Sequence, residues 1–227
     1  MDIIYKILLA AYIVIAGVAG PKISIAEILT VPADDLKSGF DYHMPYRGQT
    51  FMFSEQVLAE KLTVYLSANI YQSFTFHLLL TEIDTTNGVH PTKVLFESSP
   101  FVIPVAGTND FIPYTADLGG ILLSANKTYA FILDIFISLN QIDTDVLWQY
   151  STLTGMNRDA VYPFGEYFYL EEKCTDSLTR LPCGGRSDHF AGSWVVEPSE
   201  DMGFVFEYTP VPPSFSPSSI ELLLLKK

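Results

Sequence analysis

Apolar and polar residues alternate along much of the chain with the period of a half-buried strand. Residues 62–68 place Leu62, Val64 and Leu66 on one face. Residues 74–83 repeat the pattern with Phe74, Phe76, Leu78 and Leu80 inward. A turn over 84–88 follows, where Asn87-Gly88 supplies the positive φ that tight turns need. Short strands are predicted at 94–98 and 111–117. Pro113 cannot donate to a ladder, so it puts the second of these at a sheet edge. Residues 129–137 are apolar on both faces, which predicts a strand in the middle of a sheet. Strands over 146–150, 161–170, 193–196 and 203–208 bring the set to about ten, with turn signals between them. No amphipathic helix interrupts the series and no repeat of fixed period is visible. The pattern predicts an all-β chain: an antiparallel, jelly-roll-like β-sandwich over 49–209. Residues 140–210 could pack as a separate lobe.

The two ends read differently. Residues 1–26 have the parts of a secretory signal: Lys6, an apolar run from Ile7, and the small residues Ser24 and Ala26 before a cut at Glu27. Such a segment is a signal helix that is removed on export. The alternative is an uncleaved anchor, but the run from Ile7 to Gly20 falls short of the roughly 20 residues that span a bilayer. Residues 27–48 form an irregular lead-in punctuated by Pro32, Gly39, Pro45 and Gly48. Residues 210–227 are a Pro/Ser-rich linker followed by a short apolar run and Lys226-Lys227. That run is also too short to span, so no stable membrane span is expected after cleavage.

Charge narrows the partners. The formal net charge is −13, and removal of Lys6, Lys22 and Asp2 with the signal moves it to −14. A polyanionic backbone is repelled by such a field, which excludes nucleic acid as a partner. Nearly half of the residues are apolar, enough to fill a packed core. The two cysteines, Cys174 and Cys183, sit nine positions apart in a polar stretch. In an oxidising compartment they read as a disulfide that staples one loop. Zinc is the alternative, but with His189 they make only three of four tetrahedral ligands.

Two resemblances follow from quoted phrases. Gly-Gln-Thr-Phe (48–51), Leu-Thr-Val-Tyr-Leu (62–66), Leu-Leu-Leu-Thr-Glu-Ile-Asp (78–84) and Leu-Ser-Ala-Asn-Lys-Thr-Tyr-Ala-Phe (123–131) resemble a sandwich module of secreted bacterial proteins. Trp194, the aromatic strand 204–208, Val211-Pro-Pro213 and the apolar, basic end are similar to the closing segment of PEP-CTERM surface proteins. Pro-Glu-Pro itself is replaced by Val-Pro-Pro-Ser-Phe-Ser-Pro, and the apolar span is short. This resemblance implies export and surface sorting through a degenerate or truncated tail. Neither resemblance implies a catalytic residue.

Candidate chemistry is sparse. There is no Gly-x-Ser-x-Gly, no His-Glu-x-x-His and no phosphate-binding glycine loop. A glycoside hydrolase needs two carboxylates across a cleft, and Glu82, Asp84, Asp134, Glu166, Glu171 and Glu207 are the candidates; Asp134 stands out because it lies inside an apolar strand, where a carboxylate must be paired, hydrogen-bonded or protonated. His77 lies opposite the Phe residues of its strand, facing solvent or an edge. Asp84 and Asn87, with Asp143 and Asp145, place oxygen ligands in two short loops that suit calcium. The stretch 148–150 and the cluster Tyr162, Phe164, Tyr167, Phe168 and Tyr169 are rich in rings; alternation leaves some of them outside, where sugar faces could stack, and Trp148, Tyr150, Tyr162, Tyr167 and Tyr169 are the candidates. The expectation is a secreted or cell-surface, non-catalytic protein with a structural or adhesive role and no required cofactor. A carbohydrate-binding module with an extracellular polysaccharide or matrix partner is the alternative, and an extracellular hydrolase the third.

Overall fold

The computed structural model describes residues 25–40, 46–67, 73–105, 111–134, 152–157, 162–170, 190, 192, 194–198 and 200–212. Residues 1–24 of the expected signal, the tail beyond 212, the expected strand 146–150 with Trp148 and Tyr150, and Asp143, Asp145, Cys174, Cys183 and His189 lie outside these residues. The described chain is an antiparallel β-sandwich whose strands fall into two sheets.

One sheet is built on β4 (Val57–Ser67), which pairs with β14 (Phe204–Pro210) along one side and β8 (Phe111–Leu123) along the other. The strand β1 (Glu27–Val31) closes the far side of β14. Beyond β14, β10 (Thr152–Asn157) continues the sheet, pairing with β4, β2 (Asp34–Phe40) and β13 (Asp201–Met202). The other sheet is centred on β9 (Thr128–Asp134), between β3 (Tyr46–Met52) and β5 (Phe74–Asp84). Outside β3 lie β11 (Tyr167–Leu170) and β12 (Trp194–Glu197); outside β5 lie β6 (His90–Glu97) and β7 (Phe101–Ile103). The chain crosses repeatedly from one sheet to the other, as in a jelly roll. Strands from the second half pair directly with strands from the first: β10 with β4, β11 with β3, β14 with β4.

Alternation decides what lies between the sheets. Leu62, Val64 and Leu66 of β4 and Phe76, Leu78 and Leu80 of β5 are fully buried in one core. Rings from opposite sheets meet there: Phe51 with Phe206 at 5.0 Å, Phe131 with Phe204 at 5.2 Å, Phe76 with Tyr114 at 5.2 Å. Tilted and edge-on pairs at such distances add roughly 0.5–1.5 kcal/mol each beyond the area they bury. The central strand β9 is buried on both faces, as its unbroken apolar run requires. Tyr129, Phe131 and Leu133 enter the inter-sheet core, while Ala130 and Ile132 join a second cluster with Tyr46, Leu79 and Phe168 on the sheet's other face. Pro113 sits opposite Tyr65 on β8, whose only ladder among the described residues is with β4, so the edge assignment agrees with the pairing.

Two expectations need correction. The lead-in over 27–48 is largely strand: it contains β1, β2 and the start of β3. Pro32 lies between β1 and β2 and interrupts neither. The partner of β1 is β14, with Glu27 opposite Tyr208, so pairing across almost the whole chain overrides weak local signals. Residues 161–170 are not one strand. A turn at Pro163 and Phe164 precedes β11, because proline and glycine within 162–166 break the ladder.

Candidate ligand-binding cleft

The segment Tyr162-Pro-Phe-Gly-Glu166 runs over the rim of the sandwich just before β11. Its backbone is fixed at both ends. At the start, the Tyr162 N–H donates to Asp201 Oδ2 at 3.2 Å, and the Tyr162 hydroxyl donates to the Met52 carbonyl at 3.2 Å. At the end, the Thr50 N–H donates to the Glu166 carbonyl at 3.0 Å, and the Glu166 N–H donates to Thr50 Oγ1 at 2.7 Å. Gly165 lies so close to β3 that a Cβ there would fall 1.9 Å from the Thr50 carbonyl oxygen. Only glycine permits this approach.

The braces rest on a polar clamp inside the sandwich. Gln49 of β3 donates from Nε2 to Asp201 Oδ1 at 2.7 Å and accepts the Met202 N–H at 2.9 Å. Asp201 belongs to the opposite sheet, so this amide ties the two sheets together. Burial pushes the Asp201 carboxyl above its ordinary range, against the opposing pull of the Tyr162 and Gln49 hydrogen bonds. Beside it, Arg47 Nη1 donates to the Tyr167 hydroxyl at 2.6 Å, and both residues are buried.

Phe164 is the ring that this bracing presents. It is 59% exposed and stands edge-on to Tyr162 at 6.1 Å. A cleft of about 390 Å³ opens on one side of it, with Thr85, Thr128, Glu166 and Pro198 in its wall. A smaller hollow of about 170 Å³, also lined by Phe164, lies against Leu29, Phe53 and Tyr208. Burial, followed by the hydrogen bond to Glu27 at 2.9 Å, pushes the Tyr208 hydroxyl up to about 12.

The predicted aromatic residues therefore separate. Tyr162 and Tyr167 are core rings, 7% and 2% exposed, and their hydroxyls are engaged by Met52 and Arg47. Tyr169 is half-buried against the inter-sheet core. None of the three offers an open stacking face; Phe164, which alternation alone did not single out, does. Its signal was the Pro163-Phe164-Gly165 sequence, whose turn chemistry lifts the middle side chain off the strand.

The other candidates lie elsewhere. Asp84 Oδ1 accepts the Thr86 N–H at 2.8 Å and the Thr86 hydroxyl at 2.6 Å, which holds its carboxyl below the usual range. Asn87 shares that turn, where Gly88 takes a φ of 112°, and its carbonyl contacts His90 Nε2 at 3.1 Å. These bonds organise a hairpin, and among the described residues no three His, Cys, Asp or Glu side chains gather as a metal site. Asp134 is fully buried, with His77 and Tyr46 as its cross-strand neighbours. His77 is turned into the corner beyond β6, with Nδ1 2.9 Å from the Ser98 carbonyl and 3.4 Å from Glu97 Oε1. Neither Asp134 nor His77 lines the Phe164 cleft. Among the described residues no helix is long and apolar enough to cross a membrane.

Comparison with known proteins assigns no family. No family model matches the chain, and no curated protein matches it. Solved structures of infectious bursal disease virus align weakly. The Gt strain structure has 13% identity, covers 88% of this chain and 46% of the viral chain, and has a TM-score of 0.18. The VP2 subviral particle has 11% identity, coverage of 88% and 48%, and a TM-score of 0.18. The chain spans about half the length of these capsid chains, and a likeness at this level transfers neither fold nor function.

Proposed function

We propose that the chain is an exported, non-catalytic β-sandwich with a structural or adhesive role outside the cell, and that Phe164 is its point of contact. The observation that carries this reading is the bracing of residues 162–166 around an exposed ring. Leaving a Phe side chain in water forgoes roughly 1.5–3 kcal/mol of burial. The fixed backbone gives the ring no route into the core, and a partner that stacks on it recovers that burial. Export is supported by the signal-like segment and the closely spaced cysteines. It is also supported by the position of β1, which starts at Glu27, so the expected cut removes no described strand.

Two measurements test the reading. N-terminal sequencing of the protein recovered from outside an exporting host should begin at Glu27; recovery of an intact Met1 terminus contradicts the proposed processing. Labelled full-length protein should be retained on extracellular matrix from the source cells, and Phe164→Ala should release most of it. Equal retention of the two proteins would remove Phe164 from the proposed role.

A further inference from the structure

We propose that the cleft beside Phe164 binds a neutral saccharide. The inference rests on the adhesive reading above and gives that contact a ligand class. Three features carry it. The first is the ring itself, an exposed apolar face on a fixed loop. The negative face of an aromatic quadrupole complements the weakly positive C–H face of a sugar ring. The second is the polar wall. Thr85 and Thr128 bring hydroxyls and Glu166 brings a carboxylate, so the cleft can both donate to and accept from sugar hydroxyls. Its volume, about 390 Å³, falls within the roughly 300–1,000 Å³ of small-ligand clefts.

The third feature is charge. Among the described residues that line the cleft there is no Lys or Arg, and the one carboxylate there belongs to a chain of net charge −13. An acidic polysaccharide would meet repulsion that no described lining residue offsets. A lipid or an apolar peptide would leave the Glu166 carboxylate and the threonine hydroxyls facing groups that cannot hydrogen-bond. A neutral sugar meets both demands, with an apolar C–H face for Phe164 and hydroxyls for the wall. Preorganisation matters here, because a ring carried on a braced backbone leaves little loop freedom to lose when the ligand stacks on it.

The test is NMR titration of the full-length protein with neutral oligosaccharides (cello-, laminari-, xylo- and mannopentaose), with oligogalacturonate as the acidic comparison. At least one neutral oligosaccharide should shift the signals of residues 162–166. Phe164→Ala should weaken that binding at least tenfold, Phe164→Tyr should preserve it, and Glu166→Gln should weaken it less. Thermal melts matching the wild type confirm that the variants are folded. Absence of binding by every neutral oligosaccharide up to about 10 mM overturns the saccharide inference. So does tighter binding of oligogalacturonate, or equal binding by Phe164→Ala. Matrix retention, measured in parallel, separates the two proposals. Retention lost in Phe164→Ala without saccharide binding refutes the ligand class alone. Retention unchanged in Phe164→Ala refutes the adhesive reading as well.

Discussion

Replacing Gly165 with alanine tests the physical basis of the site without touching the exposed ring. The added Cβ would lie 1.9 Å from the Thr50 carbonyl oxygen and 2.8 Å from the Tyr162 ring. The nearest obstacle is backbone, so no rotamer change can relieve it. The loop has two responses. It can stay in place and absorb the overlap, at the 1–3 kcal/mol typical of overpacking. Or it can lift, losing the Thr50 N–H to Glu166 carbonyl bond at 3.0 Å and the Glu166 N–H to Thr50 Oγ1 bond at 2.7 Å. Two such bonds contribute about 1 kcal/mol each. The cost therefore falls between about 1 and 3 kcal/mol, which lowers the melting temperature of a chain this size by roughly 2–12 °C. Denaturant titration gives the free energy, and amide hydrogen exchange at Thr50 and Glu166 identifies the response. A change below about 0.5 kcal/mol with both amides still protected would refute the reasoning.

Four further predictions follow from the same contacts. Phe164→Ala should change stability by less than about 0.5 kcal/mol in the same titration, because the ring is mostly in water. Phe206→Ala should cost about 3–5 kcal/mol, because it empties a fully buried site against Phe51 and Phe53; a loss under about 1 kcal/mol would show that the sheets do not meet there. Asp201 should titrate above the ordinary value of about 3.9 in carboxyl-carbon NMR. Because its folded pKa is raised, its contribution to stability grows as pH falls through that value and is complete below the unfolded one; a titration at or below 3.9 contradicts the buried clamp. Tyr208 should ionise near pH 12 in an ultraviolet titration. Its folded pKa is raised from about 10, so stability should decline as pH climbs from about 10 towards 12; ionisation near 10 would place its ring in water.

The strands that declared themselves in the sequence are those whose burial is set locally. In β4 and β5 one side of the strand faces the inter-sheet core, and alternation records it directly. In β9 both faces are covered, and the unbroken apolar run records that. The first strands were hidden because their partners are remote: β1 needs β14, and β2 needs β10. The aromatic cluster misled for a related reason. Alternation puts Tyr167 and Phe168 on opposite faces of β11, yet both are buried, because the outer face of this sheet carries a second apolar cluster with Phe190 and Trp194 packed against it. Asp134 was legible as a buried carboxylate, but its placement beside His77 and Tyr46 depends on register that no local pattern encodes. Phe164 was legible as one ring of the 162–169 cluster, and its flanking proline and glycine mark a turn without saying that the turn is braced.

The central claim is that Phe164 stands on a rigid platform at the rim of the sandwich. Backbone ¹⁵N relaxation of the full-length protein tests it most directly. The amides of Phe164, Gly165 and Glu166 should show order parameters of about 0.85, like those of the neighbouring strands. Values below about 0.6 would contradict the claim, because the ring would then ride on a mobile loop.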